Sequence, residues 1–193
     1  MIERSAERDA AILATLPHVP RLGWTAAALE AGLRGAGEEP AAHRWLFPTG
    51  PAGAAEAWSD LADRRMEEAA AREDLAALRT PARIRRILEI RLQQTSPHRD
   101  ALRRALSILA LPWNARIMAR TLARTADAVW AAASDTSADF SWYTRRASLA
   151  GLYAATLTFW LREPEDTAAA LDFLDRRMTD LARAMRPKAA KAS

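Results

Sequence analysis

The sequence predicts an all-α protein of about nine helices, and three observations carry that expectation. Alanine fills about a quarter of the 193 positions while glycine occurs only 7 times, a composition that favours helix. The 10 prolines fall at intervals that suit helix starts and stops. No segment alternates apolar and polar residues with period two in a β-branched run, so no sheet is expected.

Taken in order, a first helix runs from about Ser5 to Leu16 and stops before Pro17 and Pro20. Thr25 is the expected N-cap of a second, which ends between Gly32 and Gly37. A short third covers Pro40 to Leu46. The tract Phe47–Pro48–Thr49–Gly50–Pro51 is the clearest internal boundary, and a long fourth helix is expected from Ala52 to about Leu78. Thr80–Pro81, with threonine as cap and proline in the first turn, opens a fifth to about Gln94. Ser96–Pro97 opens a sixth to about Leu111, and Leu111–Pro112 a seventh to about Ala133. The eighth is capped by Ser137 or Asp139. Glu163–Pro164–Glu165–Asp166 ends it and begins the ninth with acids at the positive end of the helix dipole. The expected organisation is a three-helix unit over 1–50, a helical domain over 51–186 and a basic tail over 187–193.

The formal charge is +4, from 28 basic and 24 acidic residues, and only Lys188 and Lys191 are lysines. Mixed runs such as Asp60–Asp63–Arg64–Arg65–Glu67–Glu68 and Asp172–Asp175–Arg176–Arg177–Asp180 suggest solvated faces laced with i,i+4 pairs. A mild basic excess suits an anionic membrane surface or an acidic partner. There is no run of eighteen apolar residues and no signal-peptide core at the N-terminus, so a cytoplasmic protein is expected.

Little in the sequence suggests catalysis, cofactor or metal. With no cysteine there is neither a disulfide nor a thiolate site. His18, His43 and His98 lack metal-ligand spacing. His98–Arg99–Asp100 has the letters of a kinase catalytic loop without its downstream asparagine or any glycine-rich loop. Gly32, Gly35 and Gly37 follow no strand and precede no Lys-Ser/Thr, which argues against a phosphate cradle. A non-enzyme is expected.

Two stripes suggest a partner helix. Leu171, Leu174, Met178, Leu181 and Met185 are spaced 3, 4, 3, 4, the seam of a helix packed nearly parallel to another. Leu149, Leu152, Thr156 and Trp160 form a second stripe, widened by Tyr153, Leu157 and Leu161. A helix apolar on more than one side is covered twice, which points to a homodimer.

Gly23–Trp24–Thr25, Ala28–Leu29–x–Ala31–Gly32 and Trp45–Leu46–Phe47 resemble the helix-turn-helix head of TetR-type regulators. At the DNA-reading position, however, stand Glu38–Glu39–Pro40–Ala41–Ala42. Carboxylates repel phosphate and alanine offers base edges only a methyl group, so the head looks degenerate and nucleic acid is not the expected partner. A ligand-responsive TetR-type regulator is the alternative reading.

From Asp139 to Leu161 the chain reads DFSWYTRRASLAGLYAATLTFWL, followed by FLDRRM from Phe173 to Met178. These runs resemble the COQ9 family of ubiquinone-biosynthesis accessory proteins. Gly23–Trp24–Thr25, Arg44–Trp45–Leu46–Phe47–Pro48–x–Gly50, Leu111–Pro112–x–Asn114 and Asp127–x–x–Trp130 support the resemblance in order along the chain. It implies a TetR-like fold turned from transcription to lipid binding: a homodimer that holds an isoprenoid quinone precursor or phospholipid, sits peripherally on the inner membrane, and serves a di-iron ring hydroxylase. The iron belongs to that partner. The partner patch implied here is Asp127, Val129, Trp130, Trp142 and Tyr143, with Val129 shorter than the apolar residue usual at its place. Exposed Trp and Tyr are the residues most enriched at interface hot spots, which fits Trp142 and Tyr143. For the lipid wall, the apolar residues of helices five to eight supply Ile84, Ile87, Leu88, Leu109, Ile117, Met118, Leu122, Leu152 and Thr156. Some members of that family carry an additional membrane-inserting amphipathic helix after the bundle, and Pro187 to Ser193 is too short for one to be expected there. Membrane contact is then left to arginine-rich surfaces, exposed tryptophans or the partner.

Overall fold

A computed structural model describes residues 3–133, 141–162 and 166–184, with the side chains of 141–143 and 184 outside the description. Ten α-helices lie among these residues: α1 (Ala6–Thr15), α2 (Val19–Leu22), α3 (Ala26–Gly35), α4 (His43–Leu46), α5 (Gly50–Ala70), α6 (Thr80–Thr95), α7 (Arg99–Leu109), α8 (Ala115–Ala132), α9 (Ser141–Arg162) and α10 (Thr167–Ala184). No strand occurs among them, and the all-α expectation holds.

Local chemistry accounts for most helix starts. Ser5 accepts from the amide of Arg8, and Thr25 from that of Ala28, each at 3.2 Å. Asp166 accepts from Ala169 at 2.9 Å and so begins α10, whereas Glu163, Pro164 and Glu165 lie outside the described residues, as do Ser137 and Asp139. Thr80 does not cap α6. It is the first residue of the helix, after extended Arg79, and no side chain caps that end.

Three expectations shift. Pro17 and Pro20 do not open a loop. Each stands in the first turn of a short helical piece, Leu16–His18 and then α2, where a missing amide costs nothing. The expected sixth helix begins as the 3₁₀ turn Ser96–His98. The fourth ends at Ala70, well short of Leu78. Beyond it Leu75 is buried, Arg86 grips Glu73 at 2.7 and 2.8 Å, and Arg83 donates to the carbonyls of Ala76 and Leu78. Tertiary partners satisfy the backbone there in place of helix.

α1 crosses α3 at Gly32, where a Cβ would sit 2.8 Å from the backbone of Thr15. The head made by α1 to α4 is tied to the rest: Trp24 Nε1 donates to the carbonyl of Ala101 in α7 at 2.9 Å. One continuous core runs from Ala11 to Leu174.

The mixed run on α5 is only in part the solvated face its sequence suggests: Arg65 and Glu68 are exposed, while Asp60 and Asp63 are buried. Glu56, Asp60 and Asp63 retain only 2%, 1% and 3% exposure. The i,i+4 pair Asp60–Arg64 forms at 3.2 Å, but α6, α8 and the segment before α1 supply the remaining partners. Glu56 accepts from Arg120 at 2.5 and 2.6 Å and from Arg124 at 2.8 Å, Asp60 from Arg4 at 2.8 Å, and Asp63 from Arg91 at 3.0 Å and Thr125 at 2.9 Å. These contacts advance together along α5 and α8, so the two helices lie side by side in the same direction. Burial works against ionised Glu56 and Asp60, but their arginine partners outweigh it and hold both below the usual carboxylate range. For Asp63 burial wins and pushes its carboxyl up despite Arg91 and Thr125.

Candidate functional site

An apolar groove of about 590 Å³ lies between the first turns of α6, the end of α8, and facing turns of α9 and α10. Pro81, Ile84, Trp130, Leu149, Leu152, Met178 and Leu181 supply its walls. The 3, 4, 3 spacing on α10 explains part of this arrangement. Leu171 and Leu174 are buried against the bundle, while Met178 and Leu181, further along the seam, stay half-buried at the groove. Met185 lies outside the described residues. On α9, Leu149 and Tyr153 are buried and Leu152 is half-buried, so this helix serves the core and the groove at once.

Polar groups stand at the groove as well. Arg85 pairs with Asp175 at 2.8 Å, Arg145 contributes to the wall, and Trp130 carries a buried Nε1–H with no acceptor among the described residues. A buried donor left unsatisfied is costly, and a polar atom of a guest can relieve it.

The nine residues expected at a lipid wall do not gather in one cavity. Ile84 and Leu152 line the groove. Leu109, Met118 and Leu122 line a separate internal cavity of only about 30 Å³. Ile87, Leu88 and Thr156 are buried in packed core, and Ile117 is half-buried at its edge. Groove residues missed in the sequence, among them Pro81, Trp130 and Met178, come from a helix start and from two helices that only the fold brings together.

Among the described residues no group of three or more His, Asp or Glu is placed to hold a metal ion, and no helix is long and apolar enough to cross a membrane. The His98–Arg99–Asp100 letters serve structure. His98 meets Trp58 edge-on at 6.4 Å, and Arg99 stacks over Trp160 at 4.3 Å.

Helices α8, α9 and α10 thus build most of this site, and residues 115–185 are what the sequence model of the COQ9 family matches. The chain is 33% identical over 184 residues to "Ubiquinone biosynthesis protein COQ9, mitochondrial" of Rattus norvegicus, covering 88% of this chain and 56% of that protein. It is 31% identical over 176 residues to the human protein of the same name, with 88% and 55% covered. The chain belongs to the COQ9 family. It spans just over half the length of these curated COQ9 relatives. The fold is also that of the TetR transcriptional regulator from Nitrosomonas europaea ATCC 19718. The TM-score is 0.70 at 21% identity, over 93% of this chain and 99% of that one.

In this COQ9-family chain one of the residues expected at a partner patch, Trp130, stands at the groove. Val129 is 1% exposed and packs inward, Trp130 lines the groove, and Asp127 on the outer face of α8 is bound by Arg146 at 2.7 Å. Arg146 therefore meets Asp127 across the α8–α9 contact. The side chains of Trp142 and Tyr143 lie outside the described residues, while their backbone forms the first turn of α9.

Proposed function

We propose that this COQ9-family chain is a non-catalytic accessory protein of ubiquinone biosynthesis. In this reading it binds a polyprenylated quinone precursor and presents it to a di-iron ring hydroxylase. The observation that carries the reading is the groove beside Trp130. Its walls are mostly apolar, its volume of about 590 Å³ suits a lipid chain, and Trp130 of α8 and Arg145 near the start of α9 both stand at it. Tail and docking surface then share one end of α9. Family membership, and the names of the curated relatives, supply the pathway.

Two further features fit the expected assembly. Thr144, Ala147, Gly151, Ala155 and Thr158 make the exposed face of α9 small, which suits the close approach of a second copy. Trp45 and Trp113 are 60% and 76% exposed, and indoles of that kind prefer a membrane interface. For the TetR-type alternative, the head offers a poor reading helix. α4 has four residues, and exposed Glu38 and Glu39 precede it.

Mass spectrometry of organic extracts from the purified protein should detect an isoprenoid or acyl lipid, and repeated absence of lipid would sink the groove reading. Trp142→Ala combined with Tyr143→Ala should abolish capture of the hydroxylase and leave helicity by circular dichroism intact. Unchanged capture would refute the docking surface. Sequence-selective, salt-dependent duplex binding at nanomolar protein would instead favour the regulator.

A further inference from the structure

The first turns of α9 have little apolar grip on the bundle. From Thr144 to Ser148 the chain reads Thr-Arg-Arg-Ala-Ser, and its one apolar side chain, Ala147, is exposed. None of these five residues is buried. Among the described side chains of α9, Leu149 at 3% exposure is the first in the core, and Tyr153, Leu157 and Trp160 follow it. Hydrophobic burial therefore fixes the helix from Leu149 onward and leaves the preceding turns to polar contacts.

Arg146 makes such a contact. Its Nε donates to Oδ1 of Asp127 on α8 at 2.7 Å. The arginine side chain is 14% exposed and the carboxylate 52%. Water thus reaches one partner freely and the other hardly at all, so the bond is screened less than a pair with both members in solvent.

Helical spacing decides what this bond holds. Positions 142 and 143 lie four and three residues before Arg146, one turn back along α9. On α8, Asp127 stands three residues before Trp130, and Trp130 and Arg145 both stand at the groove. The pair thus ties the start of α9 to the end of α8 beside the groove. Asp127 is expected at the partner patch in its own right, yet its Oδ1 is engaged within the chain.

We propose that Arg146 is a positioning residue for docking: by clasping Asp127 it holds the first turn of α9 against the end of α8, and Asp127 serves docking through this bond instead of touching the partner. The proposal rests on the docking reading given above.

Amide hydrogen exchange on the full chain tests the clasp without a partner. In a helix that starts at Ser141, amides 145 to 148 donate to carbonyls 141 to 144 and report whether that turn is formed. Asp127→Asn and Arg146→Gln should each speed their exchange about 3-fold or more and leave amides 156 to 160 unchanged. The Tm should fall by less than about 4 °C, as loss of a half-exposed pair implies. Capture of the hydroxylase should weaken about 3-fold or more in each variant, and no further in the double variant, because both substitutions remove one bond. Asp127→Glu, which keeps a carboxylate within reach of Arg146, should stay near wild type in both measurements. Weakened capture with unaltered exchange in Asp127→Asn overturns the proposal, since Asp127 would then meet the partner itself. Losses that multiply in the double variant overturn it as well. A wild-type chain that captures no hydroxylase sinks the docking reading instead, while exchange still tells whether Arg146 holds the turn, so the two failures are told apart. If Arg146→Gln does not fold, Asp127→Asn, altered at a half-exposed position, decides by exchange and capture together.

Discussion

Arg91→Met is expected to destabilise the fold by about 3–5 kcal/mol, because it strands the Asp63 carboxylate in the core. The side chains of Arg91 and Asp63 are 3% and 4% exposed, so water cannot take the arginine's place. The loss exceeds the net worth of the pair, since most of it is the penalty of an uncompensated buried charge. The double variant Arg91→Met with Asp63→Leu should therefore recover most of the stability. Urea unfolding of the three proteins checks this. A double variant as unstable as the single one would show that the pair positions the helices in some further way. Asp63→Asn alone should be milder than Arg91→Met, because burial already pushes the Asp63 carboxyl toward its neutral form.

Trp160→Ala should cost a similar amount, about 3–5 kcal/mol, which for a chain of this length lowers the Tm by about 10–15 °C. Trp160 is wholly buried near the end of α9 and joins three elements. Arg99 at the start of α7 stacks on its ring at 4.3 Å and donates to its carbonyl, and its own Nε1 donates to Thr167 of α10 at 3.3 Å. Trp160→Phe keeps most of the volume and should lose less than half as much. Differential scanning calorimetry separates the cases. A Trp160→Ala protein melting within a few degrees of wild type would mean that the neighbouring helices close the gap.

How far the sequence could be read follows from which forces act locally. Thr25 and Asp166 cap as their side chains require, and Pro81, Pro97 and Pro112 mark helical starts as read, whereas Pro17 and Pro20, read as stops, also stand in first turns. The residues after Ala70 could not be assigned in the same way. What ends α5 is a set of contacts to Arg83 and Arg86, which become neighbours only after the chain has turned. The same distinction governs the site. Leu149, Leu152 and Met178 were legible as apolar stripes, yet their division between core and groove depends on where α6 begins. Among the nine candidate wall residues, Ile87 and Leu88 have the same periodicity as Ile84 and differ from it only in what packs above them. Arg91 did leave a signal. It continues the buried face of Ile84, Ile87 and Leu88 at helical spacing, and a charged residue at such a position implies a partner inside.

The ladder of buried carboxylates on α5 also bears on behaviour far from neutrality. Every cation in it is an arginine, and the two lysines of the chain stand at 188 and 191, outside it. A guanidinium stays protonated in strong alkali, where an ammonium would release its proton and leave its partner bare. Reagents that acylate or alkylate amines leave the ladder untouched for the same reason. The interior joint between α5, α6 and α8 is thus chemically inert under conditions that would dismantle one built from lysine.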